Sequence, residues 1–535
     1  MNSLTAEERR AVLAENRAMI APGTIAEPTA LSASELARAI AAGTITARAG
    51  VEAHIARIEA VNPALNAVVQ TRYDAARAEA DEADRSLRHD RLRGPLHGVP
   101  ITIKEQFEVA GMSSTLGVAP AARDEHDGPL VARLRAAGAI VLGKTNVPQL
   151  LIYNEADNPV YGRTNNPADP ERSSGGSSGG EAAIIAAHGS PLGLGSDIGG
   201  SLRTPAHACG IASLKPTARR LTNEDARRSG YGSGQLAIVS QPGPMARSVA
   251  DLTLAMRVLA APGLDRVDPP IAPLGWREPG GVDVASLRIA YYEDDGFFPA
   301  AASVRRAVRE AVELLRDCGA RVEPFAPPDV ATAMRVFFGI LSADGGAGPK
   351  RRLGDHRVDA RIKGLLQIAE MPAALRPLAI SLSAALGQRR LSQQIAQIRP
   401  ATVDGFFALV EELAAYRRAF VAALDFGGFD AIVCPPHALP ALTHGSSYFL
   451  TTAASYAMLY NLLGMPAGVV PMTHVRDDEQ RPPRAGRDLV ERSARNVVRG
   501  SAGLPVGVQV VARHWREDVA LAVMAAIEAQ RTSTW

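Results

Sequence analysis

The chain holds 535 residues, 46% hydrophobic and 21% charged, enough for an extensive core in one large domain or two to three smaller ones. Its 58 basic and 56 acidic residues leave a net charge of +2 and are dispersed, which argues against nucleic acid as a main partner. Cys209, Cys318 and Cys434 are too few and too far apart for a disulfide framework or a CxxC clip. The 11 histidines include no HxxxH or HExxH spacing, so no metal site is expected.

Glu7, Glu8, Arg9 and Arg10 stand where a signal peptide needs an apolar run, and no later stretch of 18 residues is free of charge or turn residues. The expectation is a cytoplasmic chain without a membrane span. Short basic clusters at Lys350-Arg-Arg352 and Arg389-Arg390 read as solvated surface.

In chain order, residues 5–20 carry a helical pattern that stops at Pro22-Gly23, so 1–30 is expected to be a helical arm. Ser32-Ala-Ser-Glu35 has the form of a capping box and opens the next helix. From there to about residue 93 the apolar spacing predicts amphipathic helices, interrupted at Val61-Asn-Pro63. Short apolar runs at 99–103, 139–142 and 192–194 then alternate with helical stretches at 130–137 and 181–188, the pattern of buried strands covered by helices.

A second strand-rich block begins at 285–290 and leads to a helix over 304–317; residues 330–425 read as mostly helical. Strand-like segments return at 431–434, 467–471 and 506–511, and a helix follows Arg516. Residues 475–499, with many charges and Pro482-Pro483, are expected to form an exposed excursion. The expected class is α/β, with a central sheet covered by helices.

Two serines and a lysine in glycine-rich settings carry the chemistry: Gly98-Val-Pro-Ile-Thr-Ile-Lys104, Gly175-Gly-Ser-Ser-Gly-Gly180 and Gly195-Ser-Asp-Ile-Gly-Gly-Ser201. A serine hydroxyl becomes a useful nucleophile when a neighbour removes its proton, and backbone N–H groups beside glycines can hold the resulting oxyanion. A linker reading of residues 173–180 is set against their position between strong fold signals. Lys104 follows an apolar run, so it is expected at the end of a buried strand, where desolvation makes its neutral amine a usable base. Gly138-Ala-Ile-Val-Leu-Gly-Lys-Thr145 matches a phosphate loop letter for letter, but its four middle residues read as the strand itself, and Pro148 follows closely. ATP binding is therefore not expected.

Through the continuous motif from Gly175 to Thr217, which includes Cys209-Gly-Ile-Ala-Ser-Leu-Lys-Pro-Thr217, the chain resembles the amidase signature family over roughly residues 31–528. The resemblance implies one amidase signature domain over 31–530, with a central mixed β-sheet between helices and a helical substrate-side region at about 330–425. It implies a Ser-cisSer-Lys triad: Ser201 as nucleophile, Ser177 after a cis peptide bond as proton relay, Lys104 as base, and Ile198, Gly199, Gly200 and Ser201 as oxyanion donors. It implies amide hydrolysis with no cofactor and a small-molecule amide as partner.

Gly189-Ser-Pro-Leu-Gly-Leu-Gly-Ser-Asp197 and Leu459-Tyr-Asn-Leu-Leu-Gly-Met-Pro-Ala-Gly-Val-Val-Pro471 are similar to fatty acid amide hydrolases and related bacterial amidases. Residues 371–391 fall where the vertebrate enzymes of that group carry membrane-cap helices. Without an aromatic anchor, that segment reads as a core or dimer-interface helix, which leaves a homodimer as a possible assembly. Leu151, Ile152, Phe337 and Phe338 are expected pocket walls. Alternatives are a carbamate, lactam or ester hydrolase with the same triad, or the amidase subunit of a tRNA-dependent amidotransferase. The latter is disfavoured because the stretch after Thr217 lacks the SLDQ wording associated with those subunits.

Overall fold

The computed structural model describes Thr5, Glu7 and residues 27–224, 234–481 and 488–531. The helical pattern expected over 5–20 lies outside the described residues, apart from Thr5 and Glu7.

Eleven strands make one mixed sheet. In chain order they are β1 (Val68–Thr71), β2 (Pro100–Lys104), β3 (Ile140–Thr145), β6 (Leu192–Asp197), β7 (Ala212–Lys215), β8 (Gln241–Ala246), β9 (Arg288–Tyr291), β10 (Arg321–Pro324), β11 (Ala431–Cys434), β12 (Ala467–His474) and β13 (Pro505–Ala512). A separate two-stranded ribbon pairs β4 (Asp157–Asn158) with β5 (Gly162–Arg163). The spatial order in the large sheet is β1-β3-β2-β6-β8-β7-β12-β13-β11-β9-β10. Two parallel sets, β3-β2-β6 and β11-β9-β10, flank a central antiparallel run.

Every residue of β2, β3, β6, β7, β8, β11 and β13 is buried, as near-continuous apolar runs require in strands covered by helices. Helices Arg203–Cys209, Ala302–Asp317 and Glu517–Gln530 pack against β13, and all three also contact β12.

Four sequence expectations change. The helix Ala47–Leu65 runs straight through Val61–Pro63: proline removes only one backbone donor near the helix end, and Asn66 closes it in the left-handed region at φ 51°. β1 lies in the region expected to be helical; it is four residues long with a mixed burial pattern, too short to show a clear period of two. Residues 489–498 of the expected excursion form the helix Leu489–Val498, which buries Val490, Val497 and Val498. The segment expected to be a core or dimer-interface helix contains the helix Arg376–Ala385, on which Leu378 and Leu382 are 66% and 56% exposed; this overturns the core half of that expectation and leaves the interface half standing.

The capping box at Ser32 forms as expected, with Ser32 Oγ accepting from Glu35 N and Glu35 returning to Ser32 N. The phosphate-loop look-alike also behaves as read. Gly143, Lys144 and Thr145 lie within β3, and the buried Lys144 ammonium donates to Ser113 O and Ser114 Oγ, 2.8 Å from each, and pairs with Asp124 at 3.3 Å. Its lysine is spent inside the fold.

Candidate active site

Lys104 is the last residue of β2, which lies inside the sheet between β3 and β6, and its side chain is fully buried. β6 ends at Asp197 and releases the Ile198–Ser201 loop into the helix Arg203–Cys209. The Ser177 loop precedes the helix Gly179–Ala186, whose Gly180 sits so close to another chain segment that a Cβ there would fall 2.3 Å from Asn146 N. Parallel neighbours β2 and β6 therefore deliver a lysine and a serine loop to the same end of the sheet, and the short helix brings the second serine to them.

Lys104 Nζ lies 2.7 Å from Ser177 Oγ, 2.9 Å from Ser196 Oγ and 3.4 Å from Ser196 O. Ser196 Oγ donates to Gln106 Oε1 at 2.6 Å, which spends its only hydrogen. Ser196 must then accept from Lys104 through both its hydroxyl and its carbonyl oxygen. Two of the amine's hydrogens are thus committed, and the remaining tetrahedral direction faces Ser177. In a neutral amine that direction holds the lone pair.

Burial pulls the Lys104 pKa down to about 7, against the opposing pull of the Asp197, Glu181 and Glu105 carboxylates. The neutral form is therefore accessible near neutrality. Glu181, equally buried, is pushed up to about 7 by burial, although Thr102 and Thr145 hydroxyls both donate to it.

The Gly176–Ser177 peptide is cis, and Ser178 N–H donates to Ser201 O at 3.2 Å, so the two serine loops are in direct contact. The Ser201 loop is itself held by a buried carboxylate. Asp197 Oδ1 accepts from Gly200 N at 2.7 Å and Oδ2 from Leu202 N at 3.1 Å. Arg203, fully buried, grips the same carboxylate through Nε and Nη2 at 2.9 and 3.0 Å and reaches Ala457 O, Gln509 and Asn461. Burial would raise the Asp197 pKa, but Arg203 reverses this and holds the group well below the usual carboxylate range. Gly200 takes φ +104°, a conformation that disfavours any side chain, and a Cβ there would also meet Thr204 Oγ1 at 2.8 Å.

Of the four expected oxyanion donors, Gly200 already spends its N–H on Asp197. The N–H groups of Ile198, Gly199 and Ser201 have no acceptor among the described residues. Ser201 opens onto a cavity of about 610 Å³, and all four expected pocket residues, Leu151, Ile152, Phe337 and Phe338, line it. Phe337 and Phe338 meet edge to face at 5.5 Å, and Phe337 stands over Gly199.

Sequence reasoning did not single out Gln106, Ser196, Asp197, Arg203 or Asn461. The Asp197-Ile-Gly-Gly-Ser-Leu-Arg203 spacing was a usable signal for the ion pair, because six residues across a tight loop can return a guanidinium to its carboxylate. Asn461 and Gln509 gave none, lying hundreds of residues away.

Residues 49–521 match the family model described as Amidase, and the chain belongs to this family, the amidase signature enzymes. It is an amide hydrolase. It is 35% identical over 512 residues to "Fatty-acid amide hydrolase 1" of Sus scrofa, an alignment covering 93% of this chain and 85% of that protein. To "Fatty acid amide hydrolase 1" of Caenorhabditis elegans it is 33% identical over 500 residues, covering 91% and 86%. Among solved structures, one described as "Fatty acid amide hydrolase" superimposes with a TM-score of 0.85 at 25% identity, covering 99% of this chain and 91% of that one.

Removing one member of a buried ion pair leaves the other charge uncompensated, at a cost of about 3–5 kcal/mol. Arg203→Ala is accordingly expected to lower unfolding free energy by about that amount in a urea titration. A change below about 1 kcal/mol, the scale of an exposed pair, would contradict the assignment of this pair as the clamp of the Ser201 loop.

Proposed function

We propose that the enzyme hydrolyses the C–N bond of amides with hydrophobic acyl or aryl groups through an acyl-enzyme on Ser201. The observation that carries this reading is the 2.7 Å approach of Lys104 Nζ to Ser177 Oγ, with the neutral amine's two hydrogens directed at Ser196. Ser201 Oγ attacks the amide carbonyl as its proton passes to Ser177 and the Ser177 proton passes to neutral Lys104. The carbonyl oxygen becomes an oxyanion facing the N–H groups of Ile198, Gly199 and Ser201. Gly200, bonded to Asp197, serves in this account to shape the loop.

The Lys104 ammonium then returns its proton through Ser177 to the departing nitrogen, the C–N bond breaks and the amine leaves. Water attacks the Ser201 ester by the same proton path and releases the acid. The apolar walls of the cavity, together with the names of the relatives, support a hydrophobic acyl or aryl group.

Ser201→Ala is expected to abolish covalent labelling by a fluorophosphonate and nearly all turnover, whereas Ser177→Ala should retain weak labelling with turnover reduced by orders of magnitude. Labelling that persists in the Ser201 variant would remove Ser201 as the nucleophile.

Gln106→Leu frees the Ser196 hydroxyl hydrogen to turn toward the Lys104 lone pair. The expected result is a fall in kcat of about tenfold to a hundredfold with KM little changed, a pattern that marks loss of proton transfer rather than of binding. A raised KM with unchanged kcat would assign Gln106 to substrate binding instead.

A further inference from the structure

The basic cluster Lys350-Arg-Arg352, expected to be solvated, divides in the structure. Lys350 is about half exposed and pairs with Glu370, whereas Arg352, half-buried, is turned onto the cavity that Ser201 opens into. Both lie on the short helix Ala347–Leu353, whose Leu353 anchors it against the cluster that includes Leu150, Leu151 and Ile362.

Among the described residues, the charged side chains on that cavity's wall are Asp344 and Arg352. Asp344 is satisfied: Oδ1 accepts from Gly346 N at 2.9 Å and Oδ2 from Gly348 N at 2.7 Å. Arg352 has neither a hydrogen bond nor an ion pair with any described residue. Glu105 is near enough to act on it electrostatically but makes no hydrogen bond or ion pair with it; the Glu105 oxygens accept from the backbone N–H groups of Thr115 and Leu116. Burial lowers the Arg352 pKa against the opposing pull of the Glu105 carboxylate.

An unpaired guanidinium on a largely apolar wall is unfavourable when the pocket is filled by hydrocarbon alone, because the ligand displaces its water and returns no acceptor. Its planar fork of donors matches a carboxylate, which it can bind through two parallel hydrogen bonds. The apolar walls and the 610 Å³ volume fit a hydrocarbon chain attached to such a group.

We infer that Arg352 is a specificity-determining residue that selects amphiphilic amides: substrates with an apolar chain and a carboxylate set apart from the scissile bond. This rests on the reading of the cavity as the substrate site of an amidase. Two placements share this chemistry, a carboxylate at the far end of the acyl chain and one on the leaving amine, as in an acylated amino acid.

The experiment compares two matched pairs of substrates: sebacic acid mono-p-nitroanilide against decanoyl p-nitroanilide, and N-decanoylglycine against the neutral N-decanoyl-2-hydroxyethylamide. The wild-type enzyme is expected to favour the carboxylate member of at least one pair by roughly tenfold or more in kcat/KM, and the pair that responds locates the carboxylate. Arg352→Gln should erase that preference by lowering kcat/KM for the carboxylate member toward that of the neutral one, and Arg352→Lys should restore part of it.

Equal treatment of charged and neutral members in both pairs, or an equal loss on both in Arg352→Gln, overturns the inference. Calorimetric titration of the Ser201→Ala protein with the same four amides, with and without Arg352→Gln, reads binding apart from turnover. Carboxylate binding that depends on Arg352, in a protein whose wild type turns over none of the amides, would sink the hydrolytic reading and uphold the anion site. Turnover without any Arg352-dependent preference in rate or binding would do the reverse.

Discussion

The buried pair of Asp197 and Arg203 is the constraint on which the site depends. Both side chains are fully excluded from solvent, and each is expensive to bury alone. Together they close a hydrogen-bond set that includes Gly200 N–H, Leu202 N–H, Asn461 and Gln509. A carboxylate accepting from two backbone donors of one loop dictates the loop's path, and here that path turns Gly200 into a positive-φ conformation and leaves the Ile198, Gly199 and Ser201 N–H groups without acceptors among the described residues. The geometry of the serine loop is thus fixed by groups that never need to touch substrate. Their anchors on β13 and on the helix Ser455–Leu463 tie the loop to elements far along the chain.

A second buried cation, Lys104, is treated in the opposite way. Arg203 has a carboxylate against it and remains a charged structural clamp; Lys104 has hydroxyls, a carbonyl and only distant carboxylates, so desolvation prevails and its pKa falls to about 7. Placing one cation unpaired at the end of β2 and the other paired at the start of the helix that follows β6 separates rigidity from reactivity within one site. Ser196 and Gln106 add direction: Gln106 takes the Ser196 hydroxyl hydrogen, so Ser196 accepts two amine hydrogens and leaves one orientation for the lone pair.

The candidate site residues were legible because each sits in a local sequence pattern of its own. Lys104 ends an apolar run and both serines sit in glycine loops, so strand burial and backbone exposure could be inferred from neighbours. The partners of these residues were less legible: Arg203 meets Asn461 and Gln509 across more than 250 residues, and no local pattern encodes such a meeting. Similar limits explain the fold. The long buried strands β3 and β13 announced themselves, whereas β1 offers four residues and the helix Leu489–Val498 is so charged that its few buried valines resembled loop composition. Arg352 was misread for a related reason, since neighbouring Lys350 and Arg351 disguise a side chain that the helix turns inward.

The central claim is that neutral Lys104 accepts the proton released when Ser201 attacks. Only the neutral amine can do so, and its fraction grows as pH rises through a pKa of about 7, so acylation must accelerate in the same interval. The most direct measurement is the rate constant for fluorophosphonate inactivation as a function of pH in the wild-type enzyme and in Lys104→Ala. The account predicts an ascending curve with its midpoint near 7 for the wild type and a slow, nearly flat dependence across that interval for the variant. A wild-type profile retained in Lys104→Ala would contradict it, because the titrating base would then be another group.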